Sequence, residues 1–221
     1  MPKRIFIRDG GLTSSVPVPA GYTVLGSDNG TPKKQVQSTI SDVVPKFQYE
    51  IGEYVPSEGG VIYHRFLTGT TQNYLVVDTQ DLAIDVAWSN ITNSLVGATS
   101  MLDGLFNSNL IVNQPGHTTS AAKLCLDSTR NGKSDWYLPS ILELIKLFDN
   151  IYEVICGLEV LKGPIPYTQG VEIMDNRYWS STEIHINIYS SYAHVANRND
   201  STTYDKGSPS SSVRAVRKFT I

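Results

Sequence analysis

The stretch Tyr178-Trp179-Ser180-Ser181-Thr182-Glu183, with its counterpart Val213-Arg214-Ala215-Val216-Arg217, decides how this chain is read. Both runs have strand character, and the segment between them has a different composition. Of the 29 residues from Ile184 to Ser212, 15 are Ser, Thr, Asn or Tyr. Such side chains supply contact area and adaptable hydrogen bonds at low entropic cost, as in antibody paratopes. The segment therefore reads either as a variable binding surface held in a fixed frame or as a long solvated loop.

Working outward, the 221 residues with 40% hydrophobic content suffice for one sizeable core plus an appendage. A net charge of −3 and a pI near 5.8 give no broad cationic field, so binding to a nucleic-acid backbone has little support. The apolar run at Ile5-Phe6-Ile7 ends too soon for a signal-peptide core, and no later stretch has the length of a membrane helix. Neither secretory export nor membrane insertion is expected. Cys125 and Cys156 both fall in apolar helical patterns and read as buried structural thiols.

Residues 1–46 are rich in Gly, Pro, Ser and Val without helical periodicity, and Val16-Pro17-Val18-Pro19 and Ser27-Asp28-Asn29-Gly30 are extended-chain and turn signals. This predicts an extended arm that packs its apolar residues on neighbouring subunits or a larger particle. The body, residues 47–221, opens with strands at Val61-Ile62-Tyr63 and Tyr74-Leu75-Val76-Val77 around a turn at Gly69. Ser89 to Gly116 reads as long loops with at most one short helix. A helix over Thr118 to Asp127 has Thr118 or Thr119 as its cap and stops at the Asn131-Gly132 turn. A second helix opens at Ser140 with Glu143 at capping-box spacing. Its core stripe runs through Ile141, Leu144, Ile145, Phe148, Ile151, Tyr152 and Ile155. Further strands are expected over Arg177 to Ser181, Ala193 to Asn197 and Val213 to Phe219.

Several phrases occur in order: Tyr49-Glu50-Ile51-Gly52-Glu53-Tyr54, Gly59-Gly60-Val61-Ile62-Tyr63, Ala121-Ala122-Lys123-Leu124-Cys125, Asn131-Gly132-Lys133-Ser134-Asp135-Trp136-Tyr137-Leu138-Pro139-Ser140, and the two framing runs. Together they resemble the domain at the C-terminus of the Lcl collagen-like adhesin, found in many bacterial and phage surface proteins. That family is similar to the C-type lectin-like fold shared by formylglycine-generating enzymes and by phage tropism determinants diversified by retroelements. The resemblance implies an α+β, C-type lectin-like domain with two helices and small antiparallel sheets. The arm resembles the start of phage fibre proteins through Gly21-Tyr22-Thr23-Val24-Leu25-Gly26-Ser27-Asp28-Asn29-Gly30.

Other chemistries have weaker footing. Oxidation of the formylglycine-generating type needs closely placed reactive thiols, and Cys125 has no second thiol near it in sequence. His64, His117, His185 and His194 lack ligand spacing, and Gln114-Pro115-Gly116 lacks the acid a calcium site requires. No cofactor or metal is implied. Trp136 and Trp179 sit in framework phrases and read as core, and Arg214 and Arg217 as ion-pair partners of Asp135 and Glu183.

Every residue from Ile184 to Asp205 can be specified by a codon ending in a pyrimidine, and Lys, Glu, Gln, Trp and Met are absent. Adenine-directed diversification of Asn codons leaves such a trace, and so can a polar loop by chance; the resemblance favours the first. What the resemblance implies is a bacteriophage virion appendage, a tail or head fibre protein, that is not an enzyme. Its partners would be other virion proteins through the arm, a host cell-surface glycan or protein, and its own copies in a homotrimer. Its ligand-binding residues would be His185, Asn187, Tyr189, Tyr192, His194, Asn197, Arg198, Asn199 and Tyr204, with Trp179, Ser180, Val213, Ala215 and Val216 holding the fold. A structural virion decoration protein without a specific ligand is the first alternative, and an oxidase of the formylglycine-generating type the second.

Overall fold

The computed structural model describes residues 46–161, 176–184 and 191–221, together with the backbone of four two-residue strands near the N-terminus. Those strands and residues 46–48 belong to one unit, Met1–Gln48, and the other described residues to a second, Tyr49–Ile221. In the first unit β1 (Arg4–Ile5) pairs in parallel with β2 (Thr23–Val24), and β3 (Ser27–Asp28) pairs antiparallel with β4 (Thr31–Pro32). The rest of the arm, Val16-Pro17-Val18-Pro19 included, lies outside the described residues.

The second unit is α+β. Its first sheet grows from the two apolar runs read in the sequence. β6 (Gly60–Thr68) and β7 (Thr71–Asp78) form a long hairpin that turns at Gly69, whose φ of 61° suits a residue without a Cβ. β5 (Tyr54–Val55) and the C-terminal β13 (Val216–Thr220) flank it, in the order β13-β7-β6-β5, all antiparallel. The second sheet has the order β11-β10-β9-β12-β8, from β8 (Ala83–Val86), β9 (Tyr178–Glu183), β10 (Tyr192–Ala196), β11 (Ser201–Asp205) and β12 (Ser211–Val213). Contrary to the expectation of purely antiparallel sheets, β12 runs parallel to β9.

Four α-helices, not two, stand among the described residues: α1 (Gly104–Val112), α2 (Ala121–Leu126), α3 (Ile141–Asp149) and α4 (Ile151–Glu159). α1 is the one short helix allowed for within Ser89 to Gly116; its cap is Asp103, whose carboxylate accepts from Phe106 N at 2.9 Å. α2 is capped by Ser120, accepting from Lys123 N, rather than by Thr118 or Thr119. The amides of those two threonines donate instead to Asn90 Oδ1.

α3 opens with the expected capping box of Ser140 and Glu143. The Glu143 carboxylate also accepts from Tyr137 OH at 2.8 Å and Gly104 N at 3.1 Å, tying α1 to α3. Burial pushes its pKa up although these donors oppose the shift. The helix expected to continue past Phe148 breaks at Asn150 (φ −113°, ψ 26°), whose side chain donates to Tyr63 O at 3.0 Å. The break turns the buried face, so Val154 and Leu158 enter the core and Tyr152 points out, 75% exposed. α4 sits close over the start of β6 and the turn before β5: a Cβ on Gly157 would lie 2.9 Å from Val61 Cγ1 and 2.1 Å from Gly52 O.

The core joins both sheets to α3 and α4 through Val61, Tyr63, Leu75, Val77, Ile141, Leu144, Val154, Tyr178 and Val216. Trp136 and Trp179 are buried, as are Ser180, Val213, Ala215 and Val216. Cys125 is buried and Cys156, contrary to expectation, exposed; both are free. Among the described residues no helix is long and apolar enough to cross a membrane.

Candidate functional site

The C-terminal end of β9 is where irregular segments converge. Glu183 and Lys206 are both fully buried there and form an ion pair. Such a pair offsets its desolvation only if its other lone pairs and protons find partners. They do. The Glu183 carboxylate accepts from Val96 N at 3.0 Å and Gly97 N at 2.9 Å. Lys206 Nζ donates to Ser94 O at 3.1 Å and lies 5.0 Å from the centroid of the Trp88 ring, within cation–π range.

Backbone bonds close the same region. Glu183 N donates to Ala98 O (2.7 Å), Ile184 N to Tyr192 O (3.1 Å), Lys206 N to Ser191 O (2.6 Å) and Trp88 N to Lys206 O (2.8 Å). The base of the β9–β10 connection is thereby fixed by residues outside 185–190. His185, Asn187 and Tyr189 lie in that connection, outside the described residues.

The remaining candidates do not share one face. Directly opposed residues of an antiparallel pair point to the same side of a sheet, and neighbours along a strand alternate. β10 and β11 pair Tyr192 with Asp205, Ala193 with Tyr204 and His194 with Thr203. Tyr192 and His194 therefore occupy one face and Tyr204 the other. Tyr192 is 47% exposed, whereas His194 is half-buried, and burial holds its pKa below the ordinary value. Tyr204 stacks under the Arg177 guanidinium, 4.9 Å from its ring centroid.

Asn197, Arg198 and Asn199 lie at the opposite end of the hairpin from the β9–β10 connection, about 13 Å away at strand rise. Asn197 is a turn-former: its Oδ1 accepts from Asn199 N (2.8 Å) and Asp200 N (2.9 Å). Arg198 and Asn199 are exposed. The six described candidates thus divide into Tyr192 and His194 on one face of β10, a hairpin tip, and Tyr204 on the other face.

Sequence reasoning missed Lys206 and the Ser94–Gly97 segment. One signal was available: Lys206 is the first Lys after the 43 residues from Gly163 to Asp205, which carry none. The other framework ion pairs are partly as expected. Arg217 forks onto Asp135 at 2.6 and 2.7 Å and reaches Glu58 at 2.6 Å. Burial raises the Asp135 pKa, but the Arg217 bonds outweigh it and leave the carboxyl below its usual range. Arg214, however, pairs with Asp81 (2.5 Å) and not with Glu183.

Cys125 has its thiol pKa pushed well up by burial and then by Asp78, opposite to the thiolate that oxidation chemistry needs. Among the described residues no group of three or more His, Cys, Asp or Glu is placed to hold a metal ion. Compared with protein-family models the chain matches none, and comparison with curated proteins finds no significant match.

Proposed function

We propose that this chain is a bacteriophage virion appendage protein, of tail or head fibre type, whose body is a C-type lectin-like domain that attaches to the host surface. Its ligand is a host cell-surface glycan or protein, met by the β9–β10 connection and the adjoining Tyr192. The residues 1–46 join it to other virion proteins and to two further copies of itself.

One observation carries this reading. The tyrosine-containing connection springs from a base closed by bonds of Glu183, Ile184, Ser191, Tyr192 and Lys206, all outside residues 185–190. Binding residues on loops above a rigid scaffold are the usual arrangement of a recognition surface. The residues of Ile184 to Asp205, all of which pyrimidine-ending codons can specify, fit diversification of that surface, and the buried Cys125 thiol, its pKa raised, weighs against an oxidase.

The test of virion assignment is direct. Immunogold labelling of purified particles with antibodies to the Tyr49–Ile221 unit should decorate a fibre or surface appendage. Absence of the protein from particles that are otherwise complete would contradict the proposal.

A further inference from the structure

Outside the Ile184 to Ser212 segment, a cavity of about 390 Å³ opens between the end of β8 and α2. Its apolar lining is Val86, Ala87 and Leu124, the last 40% exposed. Its polar lining includes Thr118 and Thr119, both exposed, and the Lys123–Asp127 ion pair at 2.8 Å.

The walls are preorganised. Asn90 spends its side chain on the scaffold, accepting from Thr118 N (2.9 Å) and Thr119 N (3.1 Å) and donating to Gly116 O (3.0 Å). Ser89 and Ser120 bridge the two sides, and Ala121 N donates to Trp88 O at 2.9 Å. Across β8 and β12, Ser211 pairs with the lining residue Val86 and so shares its face. Its buried hydroxyl has no hydrogen-bond partner among the described residues.

The volume is at the small end of ligand pockets, roughly 300–1,000 Å³. The lining carries one cation and one anion, already paired, so a charged ligand gains little while a neutral one with several donors and acceptors is matched. Apolar side chains set beside such polar groups suit a ring with one C–H face and hydroxyls at its edge. We propose that this groove is a binding site for a single neutral sugar residue, separate from the β9–β10 connection.

The test is methyl-resolved NMR of the full chain titrated with glucose, galactose, N-acetylglucosamine and rhamnose, with glycerol as a small-polyol control. At least one sugar should shift the methyl resonances of Val86, Ala87 and Leu124 at about 20 mM, the weak affinity expected of a single ring. Ala87→Phe should weaken that binding at least about tenfold, and so should Leu124→Ser, an exposed position that spares the fold if the first variant unfolds. Replacing residues 185–190 with a Gly-Ser linker should leave it intact. The inference is overturned if none of the four sugars shifts those methyls, if glycerol shifts them equally, or if both folded variants bind as before. It is also overturned if the linker variant alone loses the sugar, a result that would leave the attachment proposal standing.

Discussion

Glu183 and Lys206, 23 residues apart, meet as a fully buried ion pair that also holds Val96, Gly97 and Ser94. Removing one partner leaves an uncompensated buried charge, which costs about 3–5 kcal/mol. Lys206→Met should therefore destabilise the body by about that much in urea denaturation, and Lys206→Met combined with Glu183→Gln by less than the single change. Amide exchange at Val96 and Gly97 should accelerate in the single variant. A double variant no better than the sum of its parts would mean that the two side chains are not coupled.

The helix break at Asn150 gives a contrast between neighbouring positions. Leu144→Ala should cost about 2–5 kcal/mol because it opens a cavity in the joint core, and Ser140→Ala about 1 kcal/mol through loss of the cap. Tyr152→Ala should be close to neutral, since its ring is in solvent. Thermal denaturation of the three variants checks the set; a costly Tyr152→Ala would restore the single continuous helix.

What was legible in the sequence, and what was not, follows from the range of the interactions. The β6–β7 hairpin and the Ser140–Glu143 box rest on neighbours within a few positions, and the local pattern specifies them. β11 was missed because Ser201-Thr202-Thr203-Tyr204-Asp205 has no apolar alternation: it is an edge strand whose residues are mostly solvated. The continuous stripe through Tyr152 failed because Asn150 is drawn to Tyr63 O, a contact 87 positions away in the chain. The pairing of Arg214 with Asp81 rather than Glu183 is equally non-local. For the candidate site, composition marked the segment but not the register, so Tyr192 and Tyr204 were grouped together although the strand pairing places them on opposite faces.

That division yields a prediction about binding. Tyr192→Ala should weaken attachment to cells, because Tyr192 is exposed beside the β9–β10 connection; Tyr204→Ala should leave attachment largely unchanged while releasing Arg177. Flow cytometry of labelled variants on a strain bound by the unaltered protein checks both. Equal losses would place the two tyrosines in one contact surface, against the register.

The half-buried His64 and His194 have pKa values held below the ordinary value of 6.5, by burial in both and then by Lys146 for His64. Since the folded pKa is depressed, the unfolded chain takes up the proton first as pH falls. The contribution of each histidine is thus present above about 6.5 and is lost as pH falls through the folded value. Asp78, Asp81 and Glu143, whose pKa values are raised by burial, act in the opposite sense as the pH falls. Comparison with variants isolates the histidines: the loss of Tm between about pH 7 and 5 should be smaller in His64→Gln and His194→Gln than in the unaltered chain. Identical pH profiles would remove the histidine linkage.

The central claim is that the β9–β10 connection recognises the host while the Glu183–Lys206 base holds the fold. It is tested most directly by replacing residues 185–190 with a Gly-Ser linker and measuring binding of the labelled full-length protein to a panel of bacterial strains. The account predicts that the unaltered protein binds at least one strain, and that the variant binds none while keeping its Tm within a few degrees. Binding by the variant equal to that of the unaltered protein, or no binding by the unaltered protein to any strain, would contradict it.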